Sequence, residues 1–178
     1  MNSRQSIPLA ARGFGLIEAL IAMAVVAIGL LGFAKMQALA VGSTHNSGTR
    51  AIVALQASAL AGAMRANEAY WAAGLAPATF TVTGSTLSDT TLNGLSTVCT
   101  SGVCTPVQMA AFDLKNWGTS LAAMFPSSTG TISCSTVVGS PVTCTITVNW
   151  SEKTAAVNAA TSSGSAPVTL SYTLLVQP

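Results

Sequence analysis

Residues 11–35 read ARGFGLIEALIAMAVVAIGLLGFAK, and one carboxylate in that stretch decides how the chain is to be understood. Between residues 14 and 34 the only charged side chain is Glu18. An apolar run of that length meets the roughly 20 residues a helix needs to cross a bilayer core. Arg4 and Arg12 precede it, a bias that keeps the N-terminus cytoplasmic and exports the rest. A cleaved secretory signal fits poorly, because its apolar region spans about 7–15 residues and ends at a small-residue junction. Here the helical pattern runs on past Lys35.

Glu18 needs a compensating partner. A carboxylate at the centre of a bilayer costs about 2.5–3.5 kcal/mol on insertion scales, and less near an end. A cut between Gly13 and Phe14 would create a cationic amine, and on a helix that amine and Glu18 lie one turn apart on one face. The positive end of the helix dipole favours an anion in the first turn and disfavours an amine there, so a carboxylate partner serves both. In a bundle of copies, Glu18 would instead neutralise a neighbour's amine.

With these residues in view, RGFGLIEALIAMAVVAIGLLGFAKMQALA (residues 12–40) resembles the class III signal of type IV pilins and pseudopilins. In that family a short basic leader ends in Gly, a prepilin peptidase cuts after it, the next residue is usually an N-methylated Phe, and the fifth residue after the cut is Glu. Gly13, Phe14 and Glu18 match those three positions. Many major pilins also carry a helix-bending proline some twenty residues on. This chain has Gly32, Phe33, Ala34 and Lys35 there, so no sharp kink is expected. Gly29 and Gly32 each soften the helix by about 1 kcal/mol relative to Ala.

No proline occurs between Leu9 and Leu75, and the helical pattern is expected to continue to about Tyr70. Small residues recur at four as Ala34, Ala38, Gly42 and as Ala54, Ser58, Gly62, Ala66, a spacing that lets helices approach closely. Ile52, Val53, Leu55, Leu60 and Met64 are the candidate core side. GSTHNSG, residues 42–48, has poor helix propensity and reads as a strained or partly melted turn, or as a true break. Within the family, the IGLLG run, MRAN at residues 64–67 and CTPVQMAAFDLKNW at 104–117 resemble PilV-type minor pilins, also called type IV pilus modification proteins. His45, Arg50 and Arg65 are read as solvated helix residues, with a weak Arg65–Glu68 pair.

Charged residues make up only 7% of the chain, against about a quarter in ordinary soluble domains. Part of the deficit is the apolar run; the rest is a body rich in Ala, Thr, Ser and Gly, polar through hydroxyls. There is no basic cluster and few aromatics, so no nucleic-acid groove is indicated. Loss of everything up to Gly13 would remove Arg4 and Arg12 and balance the side-chain charges. The four cysteines are spaced as CTSGVC (Cys99, Cys104) and CSTVVGSPVTC (Cys134, Cys144), and His45 is far from both pairs. Two local disulfides in an oxidising compartment are the favoured reading. A zinc site is the alternative, although neither spacing is the two-residue gap of common zinc knuckles.

Residues 72–98 read as loop, with one short strand near TFTVT. A helix follows: Thr105 caps it, Pro106 is its first residue, Gln108 completes a T-x-x-Q capping box, and Pro126 ends it. Ala110, Leu114, Trp117, Leu121 and Phe125 share a face, and Asp113 and Lys115 read as surface charges. TISCSTVV and VTCTITVNW flank Gly139, Ser140 and Pro141 as a hairpin, with Cys134 and Cys144 nearly symmetric about the turn. After a polar connection at 151–166, VTLSYTLLVQ alternates through Val168, Leu170, Tyr172, Leu174 and Val176.

The expectation is an α+β chain of type IV pilin fold: a long N-terminal helix, membrane-spanning in its first half, packed against a small antiparallel sheet with one additional short helix. The expected divisions are a leader at 1–13, a membrane and assembly helix at 14–37, the second half of the helix at 38–71, and a periplasmic or extracellular body at 72–178. The resemblance implies the prepilin peptidase, the inner-membrane assembly platform, other minor pilins and the major pilin as partners. Its function would be pilus assembly or priming, with motility or adhesion depending on it. The alternatives are a pseudopilin of type II secretion, for which no calcium-site cluster of carboxylates is present, or a tip adhesin using the 72–98 region. One histidine, five acids and paired cysteines leave little for a nucleophile and base, so no enzyme, cofactor or metal is expected.

Overall fold

The computed structural model describes residues 15–135, 137, 140–152 and 167–178, without the side chains of His45 and Asn46. The leader, Gly13, Phe14, Gly139 and most of the 151–166 connection lie outside the described residues. The elements in chain order are α1 (Leu16–Ala66), α2 (Glu68–Trp71), β1 (Thr79–Thr83), β2 (Thr86–Leu87), α3 (Thr90–Gly94), α4 (Pro106–Met124), β3 (Thr129–Cys134), β4 (Cys144–Glu152) and β5 (Val168–Val176). The chain divides into two compact units between Gly42 and Ser43.

α1 stays helical through residues 42–48, where a strained or melted turn was expected. Ser47 satisfies its hydroxyl inside the helix by donating to the Ser43 carbonyl at 3.1 Å, so it does not pull the backbone into a turn. The helix ends at Ala66, earlier than Tyr70. Asn67 leaves helical geometry (φ −118°, ψ 54°) before the single turn of α2. Among the described residues no ion pair joins Arg65 to Glu68, and the helix is interrupted between them at Asn67.

Within the second unit the chain builds an α+β fold, with the 43–66 part of α1 and the whole of α4 packed on an antiparallel sheet of order β2-β1-β3-β4-β5. Val53, Ala57, Leu60, Ala61 and Met64 recur at helical spacing and are all buried. Ile52 and Leu55, expected in the core, fall off that stripe and are exposed. Each fully buried Val, Leu or Met side chain contributes about 1.5–3 kcal/mol relative to exposure.

α4 begins as its local sequence dictates. The Gln108 backbone N–H donates to Thr105 Oγ1, and the Thr105 N–H donates to Gln108 Oε1 at 2.9 Å. Its buried face carries Ala110, Leu114, Trp117 and Leu121, with Phe125 half-buried at the C-cap. The helix lies close on the sheet at two glycines. A Cβ on Gly118 would strike the Gly84 carbonyl, and one on Gly130 would strike the Trp117 ring. Trp117 also donates its indole N–H to the Gln56 carbonyl of α1 at 2.9 Å, which ties the two helices together.

The β3–β4 hairpin pairs Thr129 with Asn149 through to Cys134 with Cys144, and the last pair is bridged by a disulfide. A second disulfide joins Cys99 to Cys104 just before the α4 cap. Cys144, Ile146, Val148 and Trp150 are buried on one face of β4, with Val142 half-buried ahead of them. Two rows of side chains cross the sheet on this face: Phe80, Ile132, Ile146, Leu174, and Val82, Gly130, Val148, Tyr172. The gap that Gly130 leaves in the second row is where Trp117 sits. β5 keeps its expected alternation but buries only Val176, with Leu170, Tyr172 and Leu174 half-buried and Val168 exposed. Its place at the sheet edge leaves it only partly covered.

The 72–98 region is more ordered than a loop with one strand. β2 pairs back onto β1, and α3 follows, capped by Asp89, whose side chain accepts from the Leu92 N–H at 2.8 Å. Leu87 and Leu92 are both buried. Lys115, expected as a plain surface charge, donates to the carbonyls of Asn93 at 2.8 Å and Leu95 at 2.6 Å. Those are the orphan carbonyls at the end of α3, and a cation there is favourable.

Candidate functional site

The candidate site is the start of α1. Its first turn is closed by the Gly15 carbonyl, which accepts from the N–H groups of Glu18 at 3.0 Å and Ala19 at 3.2 Å. Glu18 therefore stands in the first turn, where unpaired N–H groups and the helix dipole favour a negative charge. Its side chain is exposed. The chain continues apolar around every face: Leu16, Ile17, Leu20, Ile21, Met23, Val25, Val26, Ile28, Leu30, Leu31 and Phe33 are all exposed.

That exposure discriminates between two kinds of apolar helix. A core helix of a soluble domain has its hydrophobic window covered by the rest of the chain, whereas none of this window is buried. A helix apolar all round and uncovered by its own chain belongs in lipid or in a helix bundle. It is long and apolar enough to cross a membrane. Lys35 closes the charge-free run on the C-terminal side. Gly29 and Gly32 remain helical, with open space where a Cβ would be, so they leave small notches on the surface of the helix.

Of the site residues expected from sequence, the structure describes Glu18 and the four cysteines. Gly13 and Phe14 lie outside the described residues. The cysteines are 81 residues or more from Glu18 in sequence, as the Cys99–Cys104 and Cys134–Cys144 bridges of the second unit. No group of three or more metal-ligating side chains occurs among the described residues. Sequence reasoning missed the tie from Lys115 to α3 and the role of Asp89. The signal for Asp89 was local, an Asp three residues before the Leu92 N–H it caps, the ordinary N-cap pattern.

Neither the curated proteins nor the solved structures contain a match to this chain. Residues 9–34 match the family model for the prokaryotic N-terminal methylation motif, a stretch that takes in Gly13, Phe14, Glu18 and most of the uncovered apolar helix. The motif and that helix together support a membrane-anchored, type IV pilin-like prepilin or pseudopilin, a structural rather than a catalytic class of protein.

Proposed function

We propose that the chain is a minor pilin of the PilV type. It waits in the inner membrane as a prepilin with its body on the periplasmic side. A prepilin peptidase cuts between Gly13 and Phe14, and Phe14 is N-methylated. The mature chain then primes or enters a type IV pilus by packing its N-terminal helix against those of other minor pilins and the major pilin, with the inner-membrane assembly platform as the site of transfer. Residues 1–13 are the leader, 14–37 the membrane and assembly helix, 38–71 the second half of the long helix, and 72–178 the globular body.

The observation that carries this reading is Glu18, the single charge between residues 14 and 34 of an uncovered apolar stretch that matches the methylation motif. The charge is costly in lipid and is offset by an amine one turn away, its own or a neighbour's. Apolar packing supplies affinity between helices, and the charge pair fixes their stagger.

Glu18→Val tests the pairing. The variant is cut normally, since the junction is intact, but its amount in sheared filaments falls severalfold relative to wild type. Wild-type incorporation would contradict the role given to Glu18. The motif is equally at home in a type II secretion pseudopilin, so gene deletion separates the two machines. Loss of surface filaments with normal secretion supports the pilus, and the converse supports the pseudopilus.

A further inference from the structure

A cleft of about 270 Å³ opens in the second unit between α2, the 72–98 region and the start of α4, lined by Tyr70, Leu75, Pro77, Leu92 and Val107 together with the polar Asp89 and Thr91. Its walls are mainly aliphatic, and its polar groups are few, with the Asp89 charge near enough to Tyr70 to act on its hydroxyl. Asp89 spends one carboxylate oxygen on the Leu92 N–H at 2.8 Å, and its other oxygen has no hydrogen-bond partner among the described residues. Tyr70 is only 3% exposed as a whole, but its hydroxyl oxygen keeps contact with solvent, and no described residue takes it up. Burial first, and the Asp89 charge second, push the Tyr70 hydroxyl up to about 12, so it stays neutral and can both donate and accept.

We propose that this cleft is a docking slot for a single lysine or arginine side chain of a partner protein, its alkyl stem lying on Leu75, Pro77, Leu92 and Val107 and its cationic head meeting the free oxygen of Asp89 and the hydroxyl of Tyr70. Size favours one side chain, because small-molecule pockets run from roughly 300 to 1,000 Å³ and this cleft falls below them. Charge favours a cation, because Asp89 is the only ionised group lining the cleft and Lys115 is engaged elsewhere, on the carbonyls of Asn93 and Leu95. The apolar walls favour an alkyl stem, which long cationic side chains lay along hydrophobic surface while the head stays polar. The slot is remote in sequence from the methylation motif and does not depend on the proposed pilus role.

The test uses the full chain in a neutral detergent, following the backbone amide signals of Leu92 and Val107 by NMR. The probes are lysine capped at both ends, butylguanidinium, putrescine, butyrate and 1-butanol. Capped lysine or butylguanidinium is expected to give saturable shifts, with butyrate and 1-butanol at least tenfold weaker. Asp89→Asn should weaken cation binding at least tenfold while leaving thermal unfolding near wild type, because Asn caps a helix about as well as Asp. Tyr70→Phe should weaken it severalfold, and it provides a second variant should Asp89→Asn disturb α3. No saturable shift with any cation, equal binding of 1-butanol, or cation binding unchanged in both variants would overturn the slot. Putrescine binding tenfold tighter than capped lysine would overturn the protein partner in favour of a free amine.

Discussion

Two carboxylates of this chain sit in unusual places, and each is explained by what surrounds it. Glu18 stands on an uncovered apolar helix and needs a cation that processing would supply. Asp113 lies half-buried in the groove between α1 and α4 beside Gln56, Asn116 and Trp117, and no cation pairs with it among the described residues. Burial pushes its carboxyl above the usual carboxylate range. Its folded pKa therefore exceeds its unfolded one. The protonated form favours the fold, and that contribution is complete below the unfolded pKa and is lost as pH rises through the folded pKa. At neutral pH the charge is a penalty. Asp113→Asn is thus expected to raise the unfolding free energy at pH 7 by about 0.5 kcal/mol or less, since the group is partly exposed and screened. The gain should shrink toward zero as the pH falls into the carboxylate range. Denaturant unfolding of both proteins at pH 7 and pH 3 checks it, and an equal or larger gain in acid would contradict the burial account.

Among the elements, α4 was the most legible because its start is written in four consecutive residues. The reciprocal Thr105–Gln108 bonds and Pro106 need no tertiary information. Thr105→Ala should therefore destabilise the fold by about 1 kcal/mol, within a range of roughly 0.5–2, while the disulfides still form. A shift in the chemical denaturation midpoint measures it, and no change would mean that the Cys99–Cys104 bridge alone fixes the helix start. β2 and α3 were illegible for the opposite reason. Two- and five-residue elements are too short to show a period, and they persist because Leu87 and Leu92 are buried and Lys115 holds the end of α3. Ile52 and Leu55 are apolar but fall off the buried stripe, which side-chain size alone does not reveal. Spacing from Val53 selects Ala57, Leu60, Ala61 and Met64 instead. In β5 the alternation was right, but the degree of burial depends on strand order, which a single strand's sequence does not contain.

At the scale of the molecule, two physical regimes share one chain. The first unit carries a helix whose apolar surface its own chain leaves uncovered. The second closes a single core from α1, α4 and the sheet, in which Gly118 and Gly130 allow α4 to lie close on the strands. Hydrophobicity drives both, but only in the second unit does the chain itself supply the cover. That division was readable from the charge-free run around Glu18. The seating of Trp117 over Gly130 was not, because it joins residues on different elements through packing alone.

The account rests on a processed N-terminus that provides the cation for Glu18, so the most direct measurement is intact-mass and N-terminal peptide mass spectrometry of the protein isolated from its native membrane or filaments. It predicts a chain beginning at Phe14 and heavier by one CH2 unit, a methyl having replaced a hydrogen on the Phe14 amine. A chain that retains Met1, or that begins far from Phe14, would contradict it.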